Sequence, residues 1–130
     1  MRMMDLNAWS LVAVTQHLVP AMLAQRAGKV VAVTARGAAS GSAAMGAYCA
    51  SKSALQRLVE TLSREVRGAG INVNSIAPSV LDTPANRRDM PDADPARWVS
   101  TGSAARMVSM LASDAAASVH GQHLVLDGLS

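Results

Sequence analysis

Phenylalanine is absent from the 130 residues, and the aromatic set is only Tyr48, Trp9 and Trp98. Nucleic-acid faces pair clustered cations with aromatic rings on which bases stack. Here the ten arginines and two lysines are scattered and aromatics are scarce. Both facts argue against nucleic acid as a partner. Cys49 is the single cysteine, so no internal disulfide can form, which fits a reducing cytoplasm. No apolar run reaches the roughly eighteen residues that a membrane helix needs. The opening residues carry Asp5 and no apolar block with a small-residue cleavage site, so no secretory leader is expected.

What is present is a chain with 50% hydrophobic and 16% charged residues and a formal net charge of +3. That is enough apolar material for one packed domain over 1–130 and too little charge for disorder. Residues 5–25 carry Leu11, Val14, Leu18 and Met22 at helical spacing, with Pro20 inside and Gly28 beyond the end. The spacing predicts a helix with those four side chains inward. Residues 29–34, Lys-Val-Val-Ala-Val-Thr, suit a buried parallel strand. A small-residue loop follows over 35–45. Residues 46–67 predict a long amphipathic helix with Leu55, Leu58, Val59, Leu62 and Val66 inward and a Glu60–Arg64 pair outward. Residues 71–76 predict a second strand and 123–126 a third. Residues 101–112 predict a helix with Ala105, Met107, Val108 and Leu111 inward. Between them, 83–98 read as a long polar loop with a short helical turn. The alternation predicts an α/β fold with three parallel strands, helices flanking the sheet, and right-handed crossovers.

Tyr48 and Lys52 stand four residues apart at the start of the predicted long helix, so they share a face. A free phenol has a pKa near 10, out of range for a neutral-pH base. A neighbouring ammonium favours the phenolate and is expected to lower that value. Such a phenol suits proton exchange with a carbonyl or alcohol.

With its neighbours, Tyr48-Cys49-Ala50-Ser51-Lys52 resembles the Tyr-x-x-x-Lys active-site motif of the short-chain dehydrogenases/reductases. Asn7 stands at the spacing of that family's active-site asparagine. Gly28 to Val31, Asn72 to Pro78, Leu111 to Asp114 and Gly121 to Gly128 match further family stretches, so nearly the whole chain is covered. The resemblance implies the carboxyl-terminal half of a Rossmann-type doubly wound sheet. It implies NAD or NADP as cofactor and hydride exchange with a carbonyl or alcohol. Tyr48 would be the proton donor and acceptor, and Lys52 would hold the nicotinamide ribose. Asn7 would anchor a water in a relay to Lys52. Pro78, Leu81 and Thr83 would stand beside the nicotinamide, and Ala35 and Asn86 beside the substrate. Residues 5–25 and 46–67 match helices that pair between subunits, so a homo-oligomer is expected.

The chain also departs from the family. Ala35 occupies the place of the usual serine, thirteen residues before Tyr48. The stretch from Leu81 to Trp98 is similar to the matching segment of dihydropteridine reductases, which also carry that alanine; a quinonoid substrate needs less polarisation of an oxygen. Ser79 stands where glycine is usual. No glycine-rich phosphate loop of the Thr-Gly-x-x-x-Gly-x-Gly type is found, so the dinucleotide-binding half is missing and strand 29–34 is expected to have a bare edge. Gly37, Gly41 and Gly46 are expected to form a flexible wall of the substrate pocket. His17, His120 and His123 lack partners at metal spacing, so structural roles and no metal are expected. A rival reading is a catalytically incompetent fragment that acts by association with another subunit.

Overall fold

The computed structural model describes residues 2–130. A short helix α1 (Arg2–Met4) runs through a π-helical turn at Asp5–Trp9 into α2 (Ser10–Gln25). There follow β1 (Gly28–Val33), α3 (Gly46–Val66), β2 (Ile71–Pro78), α4 (Pro84–Asp89), α5 (Thr101–Leu111) and β3 (His123–Leu126). The strands form one parallel sheet in the order β1-β2-β3. Gly28 faces Ile71 at one end of the register, and Pro78 faces Leu126 at the other.

Alternation along β2 sends its side chains to two different cores. Ile71 and Val73 join Val19, Leu55, Val59 and Val66 beneath α2 and α3. Ile76 joins Val99, Ala104, Leu111 and Ala116 beneath α5. Helices thus cover both faces, as in a doubly wound sheet. Every residue of β2 is buried. Asn72 and Asn74 are tolerated there because the loop before β3 satisfies them. The Asn72 amide reaches the carbonyls of Ala116, Ala117 and Val119 at 3.2, 3.0 and 2.9 Å, and Lys29 donates to its oxygen at 2.7 Å. Asn74 donates to Val119 and accepts from the Gln122 amide, both at 2.9 Å.

Several expectations need correction. The buried residues of the first helical region are Ala8, Thr15 and Val19. Val14 and Leu18 are 56% and 51% exposed; they line an open apolar groove beside β1 with Leu6, Met22 and Val30. Thr15 can sit inward because its hydroxyl donates to the Leu11 carbonyl at 2.7 Å. In α5 it is Ala104, not Ala105, that is buried, in line with Leu111 seven residues on. Glu60 pairs with Arg57 at 2.8 Å and His123 at 2.6 Å, rather than with Arg64. The 83–98 segment is more ordered than a loop: it holds α4 and a 3₁₀ turn at Pro95–Arg97, and a bridge between Leu81 and Val99 closes it at both ends. The 35–45 segment likewise holds a 3₁₀ turn at Arg36–Ala39.

The first helix stops at Arg26, whose φ of 53° is left-handed, and Gly28 already begins β1. Met22 packs where a Gly28 side chain would lie. Gly70 turns the chain into β2 with φ 81°, and a Cβ there would run into the Arg26 carbonyl.

Candidate active site

A cavity of about 300 Å³ opens beyond the carboxyl ends of β1 and β2, lined on one side by Val33, Thr34 and Ala35 and on the other by Pro78 to Leu81. Tyr48 and Lys52 enter it from the first turns of α3, and Asn86 and Met90 from α4 and its end. In open α/β sheets this end of the strands is where ligands bind. Of the residues expected to act, Tyr48, Lys52, Pro78, Leu81, Ala35 and Asn86 therefore meet at one place.

Lys52 donates to the Val33 carbonyl at 3.2 Å, and its ammonium lies 6.0 Å from the centre of the Tyr48 ring. It thus lies over the ring. Burial is the main force on both groups: it pushes the Tyr48 phenol above its ordinary value, with Cys49 adding to the rise, and pushes Lys52 below its own. The expected lowering of Tyr48 by Lys52 is not found: the shift is upward, and its causes are burial first and Cys49 second.

Asn7 lies in the π-helical turn, a form that often marks functional positions. Its amide donates to Ser51 Oγ at 3.1 Å, and Ser51 donates to the Tyr48 carbonyl at 2.8 Å. Asn7 therefore reaches α3 through the neighbour of Lys52; it lines the groove beside β1, which Lys52 also borders. Thr83 caps α4, its hydroxyl accepting from the Asn86 amide nitrogen at 3.1 Å. It does not line the cavity. The Asn86 side chain donates to the Leu81 carbonyl at 2.8 Å and so shapes the wall opposite Tyr48.

Ala35 is buried and brings no hydroxyl. Ser40 does not replace it, since it faces Cys49, Ala50 and Ser53 in a separate pocket. Gly41 lines that same pocket, and neither Gly37 nor Gly46 borders the Tyr48 cavity. The wall is made instead by Ala35 and the turn after β2. Sequence reasoning also missed what holds the rim. Arg36 pairs with Asp127 at 3.0 Å, Ser79 donates to the Asp127 carbonyl at 2.9 Å, and Arg97 donates to the Leu129 carbonyl at 2.7 Å. The partners are too far apart in sequence for any local pattern to signal them. Among the described residues no group of three or more metal-ligating side chains occurs, and no helix is long and apolar enough to cross a membrane.

A profile described as enoyl-(acyl carrier protein) reductase matches residues 1–128. The chain belongs to the short-chain dehydrogenase/reductase family. It is 31% identical to a 2-dehydro-3-deoxy-D-gluconate 5-dehydrogenase of Pseudoalteromonas atlantica, over 98% of this chain and 54% of that protein. It is 30% identical to a 3-oxoacyl-(acyl-carrier-protein) reductase of Thermotoga maritima, over 95% of this chain and 54% of the relative. Among solved structures, a candidate 2-deoxy-D-gluconate 3-dehydrogenase of Agrobacterium tumefaciens with bound NADP superposes with a TM-score of 0.89. Its identity is 32%, covering 96% of this chain and 55% of the other. The Rossmann-like reading of the sheet therefore stands, and the chain spans about half the length of the curated relatives it matches. These relatives are gluconate-dehydrogenase and acyl-carrier-protein-reductase types, which lends no support to the narrower likeness to dihydropteridine reductases.

Proposed function

We propose that this chain is the catalytic half of an NAD(P)-dependent oxidoreductase, a single partial domain that exchanges hydride between a nicotinamide and a carbonyl or alcohol. The observation that carries this reading is the convergence of Tyr48 and Lys52 with the Pro78–Leu81 turn on one cavity at the strand ends. The donor set fits the nicotinamide end of such a cofactor. A lysine ammonium can serve a ribose diol, a phenol stands next to it, and the opposite wall is backbone. The nicotinamide, when bound, supplies or takes the hydride. Tyr48 gives the proton to the substrate oxygen or removes it. Lys52 holds the ribose hydroxyls, and Asn7 steadies the helix turn that carries both through Ser51. Leu81 would meet the nicotinamide, with Thr83 acting only by capping α4 through Asn86, and Ala35 and Asn86 would meet the substrate. No residue of this chain is proposed for the pyrophosphate.

Calorimetric titration of NADH and of NADPH into the purified chain tests the reading. Saturable binding is expected if a second copy or an added half completes the site. In the completed enzyme Tyr48→Phe is expected to remove turnover, and retained turnover would refute the role of Tyr48. The relatives favour a hydroxylated acid or a 3-oxoacyl group as substrate. Ala35 favours a second substrate class, a dihydropteridine-like quinonoid, since no serine hydroxyl is there to polarise an oxygen. Turnover of quinonoid pterin against 3-oxo substrates separates the two. The rival reading, an incompetent fragment that works by association, predicts no nucleotide binding. The groove between α2 and α3, lined by Leu11, Val12, Val19, Leu58 and Leu62, supports a homo-oligomer in either case.

A further inference from the structure

Glu60 stands on the same helix as Tyr48, twelve residues further along, and its carboxylate leaves α3 toward the sheet. One of its oxygens lies 2.6 Å from His123 Nε2 and 2.8 Å from an Arg57 guanidinium nitrogen. The other ring nitrogen, Nδ1, lies 2.6 Å from Ser75 Oγ. Ser75 is in turn 3.2 Å from Thr34 Oγ1, and Thr34 donates to the Ile76 carbonyl at 3.1 Å. The row crosses the whole sheet under α3, from β3 through β2 to the residue that follows β1. Ser75 is 0% exposed and Thr34 2%.

A carboxylate only accepts, so His123 Nε2 carries a proton. In the neutral ring Nδ1 accepts from the Ser75 hydroxyl, and the Thr34 hydroxyl shares its one proton between Ser75 Oγ and the Ile76 carbonyl; in the charged ring Nδ1 donates to Ser75, Ser75 to Thr34 and Thr34 to Ile76. No buried side-chain nitrogen or oxygen lacks a partner among the described residues. Such a row does something that the neighbouring apolar contacts cannot. Leu55 and Val59 set how close α3 lies to the sheet, but apolar burial is non-directional and tolerates sliding. Hydrogen bonds weaken steeply with angle and distance, so they set where α3 stops along the strands. That setting decides whether Lys52 meets the Val33 carbonyl and where the Tyr48 hydroxyl lies in the cavity.

We infer that His123 and Glu60 are positioning residues for Tyr48 and Lys52, locking the axial setting of α3 against the strand ends through Ser75 and Thr34. The catalytic purpose of the pair rests on the oxidoreductase reading above; the positional linkage does not.

Tyr48 is the only tyrosine in the chain, so the ultraviolet absorbance of its phenolate reports this one group in alkaline titration, with no cofactor needed. A Gln amide at 123 reaches about as far as Nε2 and keeps Glu60; an Asn amide reaches about as far as Nδ1 and keeps Ser75. His123→Gln and His123→Asn therefore each cut the row at one link. Both are expected to keep the circular dichroism of the fold. Both are expected to move the Tyr48 titration down toward the ordinary phenol value, as a loosened helix end admits water. Ser75→Ala removes the middle link away from the cavity lining and is expected to shift it in the same direction; it serves as the test if a histidine variant fails to fold. Folded variants that melt earlier yet titrate like the wild type would overturn the inference, since a merely structural row lowers stability alone. If the titration responds but neither NADH nor NADPH binds the completed enzyme, the oxidoreductase reading fails and the linkage stands.

Discussion

Strands β1 and β2 lie side by side in one sheet, yet their surroundings are opposite. All of β2 is buried, its polar side chains are matched, and each face meets a core. β1 is at the sheet edge, no residue in it is fully buried, and Val33 is 45% exposed. The groove along its outer side is apolar, with Val14 and Leu18 standing open over it. Packing is therefore complete around the strand that carries the Pro78 turn and incomplete around the strand that anchors Lys52. Half of the candidate site stands on a finished core and half on an edge.

Substitutions can sharpen that contrast. Ile71→Ala, in the finished core, is expected to cost about 3 kcal/mol by chemical denaturation. A loss under about 1 kcal/mol would mean that β2 is not the centre of stability. Asn72→Ala strips three carbonyls and Lys29 of their partner, and a loss of about 2 kcal/mol is expected for that. Tyr48 probes the boundary between the two regions. Its folded pKa is raised above 10.0 by burial, so its protonated form contributes stability that is present below that value and is lost as pH rises through the folded pKa. Tyr48→Phe should remove that alkaline loss, which melting curves at stepped alkaline pH would reveal as a flatter profile than the wild type. Val33→Thr, at the open edge, is expected to change stability by less than about 0.5 kcal/mol. A larger loss would show that something covers β1 in solution.

Much of the fold was legible because β-branched runs and helical stripes lie where strands and helices form. Tyr48 and Lys52 were legible as a pair because four residues make one helical step. What the stripes could not say is which arc of a helix is covered. Along α2 the apolar Val14 and Leu18 face the groove, and the polar Thr15 is inside because it bonds its own backbone. Nor could spacing show that Lys52 turns to the Val33 carbonyl, or that burial raises Tyr48 where a lowering was expected. The contact between Glu60 and His123 joins residues 63 apart, so only the assembled sheet reveals it.

The ties made by residues 127–129 have a mechanical consequence. Asp127 holds Arg36 just past β1 and Ser79 just past β2, while Leu129 holds the turn at Arg97. Tension applied at these last residues is shared among three anchors in parallel instead of peeling β3 away bond by bond. The rim of the cavity resists load as a bracket does, and it yields only when several fastenings give way together.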